Sequence, residues 1–250
     1  MRQSRNTLRD VLIFRYLTAE IRARVERRCS FRNYQRGRII IHARDATRDV
    51  FFLIGGRARV ILYSADGKPV SFREIGVGEM FGEFAAIDGG PRSTTVEVLE
   101  AARVAAIPGP TFKALLWTET SLMGVVLVQA IAQLRALTER VFEFSTLDVD
   151  ARINAELLRL VKAGVVVGRR AWVCRFPKHG EIASRVSTHR EAVARRLSLL
   201  AKCKLIERRG GTLVVHDLKR LERTLEGTRG AAPPRRRRQA ARTRKDPHAA

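Results

Sequence analysis

Apolar residues are spread along the 250-residue chain in three textures, and each predicts a different kind of element. Over residues 1–30, Leu8, Val11, Leu12, Ile21 and Val25 stand at helical spacing. From about 31 to 107 the pattern shortens into β-rich runs: Arg38–His42, Val50–Ile54, Arg57–Tyr63, Val70–Ile75, Thr95–Leu99 and Arg103–Ile107. Turn signals at Gly55-Gly56 and Asp66-Gly67 punctuate them. Many short strands at this spacing predict an antiparallel sandwich, jelly roll or barrel. Pro108-Gly109-Pro110 closes the region. A helix over 111–117 and a long one over about 119–146 follow. Along the second, Gly124, Leu127, Ile131, Leu134, Thr138 and Val141 alternate at spacings of three and four. This is either an intramolecular packing stripe or a coiled-coil seam, and the seam predicts a parallel homodimer. Thr138, the hydroxyl in its second half, either fixes register or touches something bound near the subunit boundary.

Beyond the long helix the pattern is mixed. A helix is expected over 149–163, with Asp148 placed to cap it, then short strands at Val165–Val167 and Trp172–Phe176. Residues 178–200 read as two short helices around a tight turn. At 100° per residue, Val193, Leu197 and Leu200 converge on one side of the second helix. Glu191 and Arg195 point away from that stripe, with Arg190 on the flank. Such an outward face is either an i, i+4 surface pair or a set of groups that reads base edges in the major groove. Leu205–Val215 reads as a hairpin turning at Gly210-Gly211, the position of a wing. Residues 227–250, with Arg235–Arg238, form a basic low-complexity tail expected to be disordered. The tail is either a solvated charged run or an arm that adds nonspecific affinity for DNA.

Charge sharpens the second half of this picture. The net charge of +23 divides as +6 for residues 1–149, +10 for 150–226 and +7 for 227–250. The shorter half, which holds the helix pair, therefore favours a polyanion. A membrane is not expected: the N-terminus has no apolar signal core, no run is expected to approach transmembrane length, and no amphipathic basic helix or lipidation motif is expected. Cys29, Cys174 and Cys203 are odd in number and share no CxxC-type spacing, which suits a reducing cytoplasm. The five histidines lack metal-motif spacing, so no metal and no catalytic constellation is expected.

Candidate ligand chemistry lies in residues 80–95, Met-Phe-Gly-Glu-Phe-Ala-Ala-Ile-Asp-Gly-Gly-Pro-Arg-Ser-Thr-Thr. Gly82 lets backbone approach a ligand closely, and a helix starting near Glu83 presents free N–H groups to an anion. Arg92 can bring its guanidinium onto two phosphate oxygens. Glu83 is an acceptor suited to a ribose hydroxyl, and Ser93 a donor to phosphate. The residues alone equally allow a Gly-rich loop between strands with a surface arginine. Phe81-Gly82-Glu83-Phe84-Ala85 and Gly90-Pro91-Arg92-Ser93-Thr94 resemble the phosphate-binding cassette of cyclic-nucleotide-binding domains. The order that follows, long helix, Thr146-Leu147-Asp148-Val149 hinge and winged helix-turn-helix, is similar to the CRP/FNR superfamily of bacterial regulators, nearest its catabolite-activator type. The resemblance covers about residues 10–220.

The resemblance implies an α+β chain. It has a cyclic-nucleotide-binding β-roll over 1–110, a dimerisation helix and hinge over 111–147, a winged helix-turn-helix over 148–226 and the tail over 227–250. It implies that Gly82, Glu83, Phe84, Ala85, Arg92 and Ser93 hold cAMP or cGMP, with Thr138 reaching the base, including from the partner subunit. Leu137 departs from the cAMP-responding pattern, which has a hydroxyl residue there. The resemblance further implies that Arg190, Glu191 and Arg195 read a TGTGA-like half-site of a palindrome in double-stranded DNA, with His189 near phosphate. Lys178, Arg185, Lys202, Lys204, Arg208 and Arg209 become candidates for phosphate positioning. RNA polymerase is a further implied partner. The alternative is a constitutive DNA-binding regulator of the same fold whose β-roll binds no effector.

Overall fold

Two long antiparallel strands carry the N-terminal half of the chain in the computed structural model, which describes residues 8–229. Strand β3 (Val50–Tyr63) pairs along its length with β6 (Thr95–Ile107). Around them, β1 (Ser30–Tyr34) and β2 (Ile39–Ile41) pair with β6, while β4 (Pro69–Ile75) and β5 (Met80–Phe81) pair with β3. All pairings are antiparallel, which gives the β-roll. The turn expected at Gly55-Gly56 does not form. The strand runs through, and its register with β6 shifts between Leu53 and Ala58. Gly56 has φ +83, and a Cβ there would lie 2.3 Å from the Ala101 carbonyl oxygen, so the glycine bends a continuous strand instead of ending it.

The N-terminal helical region is a 3-10 turn over Leu12–Tyr16 followed by α1 (Ala19–Glu26), where the Thr18 side chain accepts from the Ile21 amide. Leu8, Val11, Ile13, Phe14 and Leu17 are buried against Phe52, Phe112 and Leu122. This core joins the β-roll to α3 (Gly109–Thr118) and the N-terminal end of α4 (Thr120–Thr146). A second core, with Phe51, Leu53, Phe81, Val98 and Val104, fills the roll itself. Between these elements the short helix α2 (Glu83–Asp88) follows β5 directly.

Helix α4 corrects one sequence expectation. By length and composition it is apolar enough to cross a membrane, so the chain does contain a run of that size. Only Leu122 and Val126 of α4 are buried, and Leu127, Ile131, Leu134 and Val141 of the proposed seam are exposed together with Val128 and Phe142.

Asp148 caps α5 (Val149–Lys162), accepting from the Ala151 amide at 2.8 Å, and Leu147 between α4 and α5 is extended. Strands β7 (Val165–Val167), β8 (Arg170–Val173), β9 (Ile206–Arg209) and β10 (Thr212–Val215) form a four-stranded sheet in the order β7-β8-β10-β9. Helices α6 (His179–Arg185) and α7 (Arg190–Lys202) make the helix pair. The hairpin β9–β10 turns at Gly210-Gly211 as a wing. Val193, Leu197 and Leu200 of α7 are buried with Ile153, Leu157, Ile182 and Leu213 in one core. The last helix, α8 (Leu218–Arg229), runs past the expected tail boundary at 227 and packs on α5, with Leu221 fully buried. It is an amphipathic basic helix, which the sequence reading did not expect. Residues 230–250 lie outside the described residues.

Candidate functional site

The start of α2 is built by a glycine that no other residue can replace without strain. Gly82 has φ +80, and a Cβ on it would lie 2.9 Å from both Arg92 Nη1 and Ile41 Cδ1. From this turn Glu83 enters the interior, 6% exposed, and Ala85 is buried beside it. Arg92 returns from the loop after α2 and is 3% exposed. Its Nη1 donates to the Gly82 carbonyl at 2.7 Å, Nη2 to the Asp49 carbonyl at 2.8 Å and Nε to Thr47 Oγ1 at 3.0 Å. A guanidinium has five N–H groups, so these bonds leave one on each terminal nitrogen.

A cavity of about 450 Å³ opens above this floor, between the β-roll and α4. That is the size range of small-molecule sites. Its walls include Gly82, Glu83, Phe84, Ala85, Arg92 and Ser93, which brings six of the seven proposed ligand residues together. Thr138 is the exception. It is exposed, donates to the Leu134 carbonyl at 3.0 Å and does not line the cavity of its own chain. Leu137, one residue and about 100° away on the helix, lines it instead.

Burial raises the pKa of the Glu83 carboxyl, opposed by its own backbone N–H, by Arg73 and Arg92, and by a hydrogen bond from Gln133. Burial likewise lowers the pKa of Arg92, opposed by Asp49, Asp45 and Glu83. The sequence reading missed Gln133 and Arg140. With Leu137 they form a second α4 stripe at spacings of four and three, one residue behind Leu134, Thr138 and Val141. A buried glutamate that needs a donor is the signal that could have found Gln133.

In the helix pair, Glu181 accepts from the Lys178 amide at the start of α6, and the turn passes through Ser187, whose φ is +48. His189, Arg190, Glu191 and Arg195 are exposed at and beyond the start of α7. Among the described residues, Arg190, Glu191 and Arg195 form no hydrogen bond or ion pair with another side chain. A shallow depression beside them is lined by Asp150, Thr188, His189, Glu191 and Arg195. Arg196, also missed from sequence, turns inward: its Nε donates to Oδ1 of the fully buried Asn154 at 2.9 Å. One phosphate-positioning candidate is corrected: Arg185 turns inward, its side chain 11% exposed, in ion pairs with Glu156 and Glu74. Arg209 is exposed on the wing and paired with Glu207 of its own strand. Lys178, Lys202, Lys204 and Arg208 are exposed.

Comparison with known proteins agrees with this geometry. Residues 31–119 match the cyclic nucleotide-binding domain and residues 151–224 the Crp-like helix-turn-helix domain. The chain is 26% identical over 189 residues to the cAMP-activated global transcriptional regulator CRP of Pasteurella multocida, covering 75% of this chain and 90% of that protein. It is 27% identical over 191 residues to the cAMP-activated global transcriptional regulator Vfr of Pseudomonas aeruginosa, covering 75% and 89%. The c-di-GMP-responsive global regulator CLP of Xanthomonas campestris shares the fold with a TM-score of 0.65 at 23% identity, covering 76% of this chain and 94% of that one. FixK2 of Bradyrhizobium japonicum does so at 0.68 and 17%, covering 82% and 99%. A β-roll, a long helix and a winged helix-turn-helix define a regulator class that couples a ligand domain to a DNA-binding domain. The chain belongs to the CRP/FNR superfamily of DNA-binding transcription regulators.

Proposed function

We propose that the chain is a cyclic-nucleotide-responsive, dimeric regulator that reads a TGTGA-like palindrome. The observation that carries this reading is the burial of Glu83 and Arg92 on either side of Gly82 at the floor of one cavity. The two N–H groups of Arg92 not given to protein acceptors suit two oxygens of a cyclic phosphate. Ser93 adds a donor, Glu83 accepts from the ribose hydroxyl, and Gly82, Phe84 and Ala85 shape the approach.

The exposed apolar seam of α4 supports homodimerisation, because a monomer would leave Leu127, Ile131, Leu134 and Val141 in water. In a parallel pair, Thr138 reaches the base from the partner subunit. Leu137, an aliphatic group in the cavity wall, offers no hydrogen bond to the base, so cAMP and cGMP both stand as effectors. The response of the similar CLP regulator to c-di-GMP makes that nucleotide the third to try.

On the DNA side, Arg190 and Arg195 pair with guanine edges, Glu191 accepts from cytosine N4, and His189 lies near phosphate. Lys178, Lys202, Lys204 and Arg208 supply phosphate contacts that position the domain. Dimer symmetry places two recognition helices one helical turn apart. The compartment is the cytoplasm, and RNA polymerase is the further partner such a regulator meets.

One observation favours the constitutive reading: the guanidinium of Arg92 already holds three protein acceptors. Thermal unfolding with cAMP, cGMP and c-di-GMP separates the two readings. A ligand at 100 times its Kd stabilises by about 2.7 kcal/mol, and no shift with any of the three favours the constitutive regulator.

A further inference from the structure

The cavity shares a wall with a contact between the β-roll and the helix-turn-helix. Arg140 and Phe72 both line the cavity. Arg140 Nη1 donates to the Phe72 carbonyl of β4 at 2.9 Å, and Nη2 donates to the Arg185 carbonyl at the end of α6. The same α6 residue reaches back with its side chain. Arg185 pairs with Glu74 of β4, two residues from Phe72, and with Glu156 of α5 at 2.8 Å. Helix α6 accordingly packs on β4. These are not surface pairs: the side chains of Arg185 and Glu156 are 11% and 5% exposed. One residue of the cavity wall therefore ties a strand of the ligand domain to the first helix of the DNA-binding pair.

We propose that Arg140 is the joint through which the cavity controls the helix-turn-helix, and that the clasp Phe72–Arg140–Arg185–Glu74 is a brake on DNA binding. The inference rests on the reading above, in which a nucleotide in the cavity favours the DNA-binding arrangement. A ligand that draws the Arg140 guanidinium off these two carbonyls, or displaces the Phe72 backbone, does so at the expense of bonds that hold α6. By linkage, occupancy of the cavity and closure of the clasp oppose one another. An effector that activates must then act by releasing α6 from β4. Arg140 here is a positioning residue, acting on the DNA face through α6 and not by touching bases.

Glu74→Gln is the decisive variant, because Glu74 lies outside the cavity wall, Arg185 keeps Glu156, and Arg57, the other partner of Glu74, keeps Glu100, so the fold is retained. In nucleotide-free full-length protein, amide hydrogen exchange over residues 179–185 is expected to quicken in Glu74→Gln. Affinity for a TGTGA-palindrome duplex without nucleotide is expected to rise about five- to tenfold, within the range of ordinary coupling. Affinity with saturating cAMP or cGMP, whichever shifts the parent, stays at the parent's value. Unchanged exchange over 179–185, or nucleotide-free affinity equal to or below the parent's with the melting temperature intact, overturns the brake. Arg140→Met tests the joint itself: it should bind DNA without nucleotide like Glu74→Gln and respond less to nucleotide, and a parent-like response overturns its role. If the parent responds to neither nucleotide, the functional reading fails, and the exchange comparison then judges the clasp alone.

Discussion

Arg92 Nη1 lies 2.7 Å from the carbonyl oxygen of Gly82, and the Cβ of any other residue at 82 would come within 2.9 Å of that same nitrogen. The turn that opens α2 and the arginine that closes the loop after it are thus one unit. Gly82→Ala meets both a left-handed backbone and this contact. It should lower unfolding stability by about 1–2 kcal/mol and abolish nucleotide binding. Urea denaturation and isothermal titration with cAMP and cGMP check the two effects.

Glu83 gives a pH dependence of definite sign. Burial raises its pKa in the folded protein, so above the ordinary glutamate range the folded state holds more protons than the unfolded one. Stability from this group is full below the unfolded pKa and falls as pH rises through the folded one. Glu83→Gln removes that term. The variant should be more stable than the parent at pH 7 and its stability should depend less on pH above 5, while nucleotide affinity falls at least tenfold. Denaturation at pH 5, 6 and 7 follows the first expectation; a variant less stable than the parent at pH 7 contradicts it.

Neighbouring arginines of α7 should behave in opposite ways. Arg195 is exposed and Arg196 is bonded to buried Asn154. Arg195→Leu is expected to leave the melting temperature unchanged and to relax base preference at one position of each half-site, by about 1–3 kcal/mol. Arg196→Leu leaves Asn154 Oδ1 without this donor and should cost about 1–3 kcal/mol of stability with base preference retained. Selection from a randomised duplex pool, run beside thermal melts, reads both.

Ser187 occupies a left-handed conformation at the turn between α6 and α7. Glycine adopts that conformation without the Cβ penalty, so Ser187→Gly should raise stability by on the order of 1 kcal/mol. A melt of the variant tests this, and lower stability would show that the hydroxyl matters more than the backbone.

The basic tail makes a prediction from charge alone. If residues 230–250 act as an arm on DNA, deleting them should flatten the dependence of log K on log salt without altering base preference. Equal salt slopes for the full and shortened chains would assign the tail to a solvated run.

The legible parts of this chain were those fixed by local periodicity. The buried stripe Val193–Leu197–Leu200 and the Asp148 cap follow from helix geometry and one side-chain oxygen. Strand β1 escaped because it lies at a sheet edge, paired only with β6, with none of its residues fully buried and so little apolar alternation. The Gly55-Gly56 pair misled because a glycine that bends a strand and one that ends it look alike in sequence. Arg185 looked like a phosphate ligand because its partners, Glu74 and Glu156, lie 111 and 29 residues away. Gln133 and Arg140 were hidden because their role depends on which side of α4 faces the roll, and the apolar seam from Leu127 to Val141 marks a different side of the helix.

The central claim is that occupancy of the cavity changes how the dimer meets DNA. The most direct measurement is titration of a TGTGA-palindrome duplex with full-length protein, with and without cAMP and cGMP, at fixed salt. The account predicts that at least one nucleotide tightens binding by about tenfold or more, and that Arg92→Leu loses this response while keeping the nucleotide-free affinity. Equal affinity with and without both nucleotides, or an undiminished response in Arg92→Leu, would contradict it.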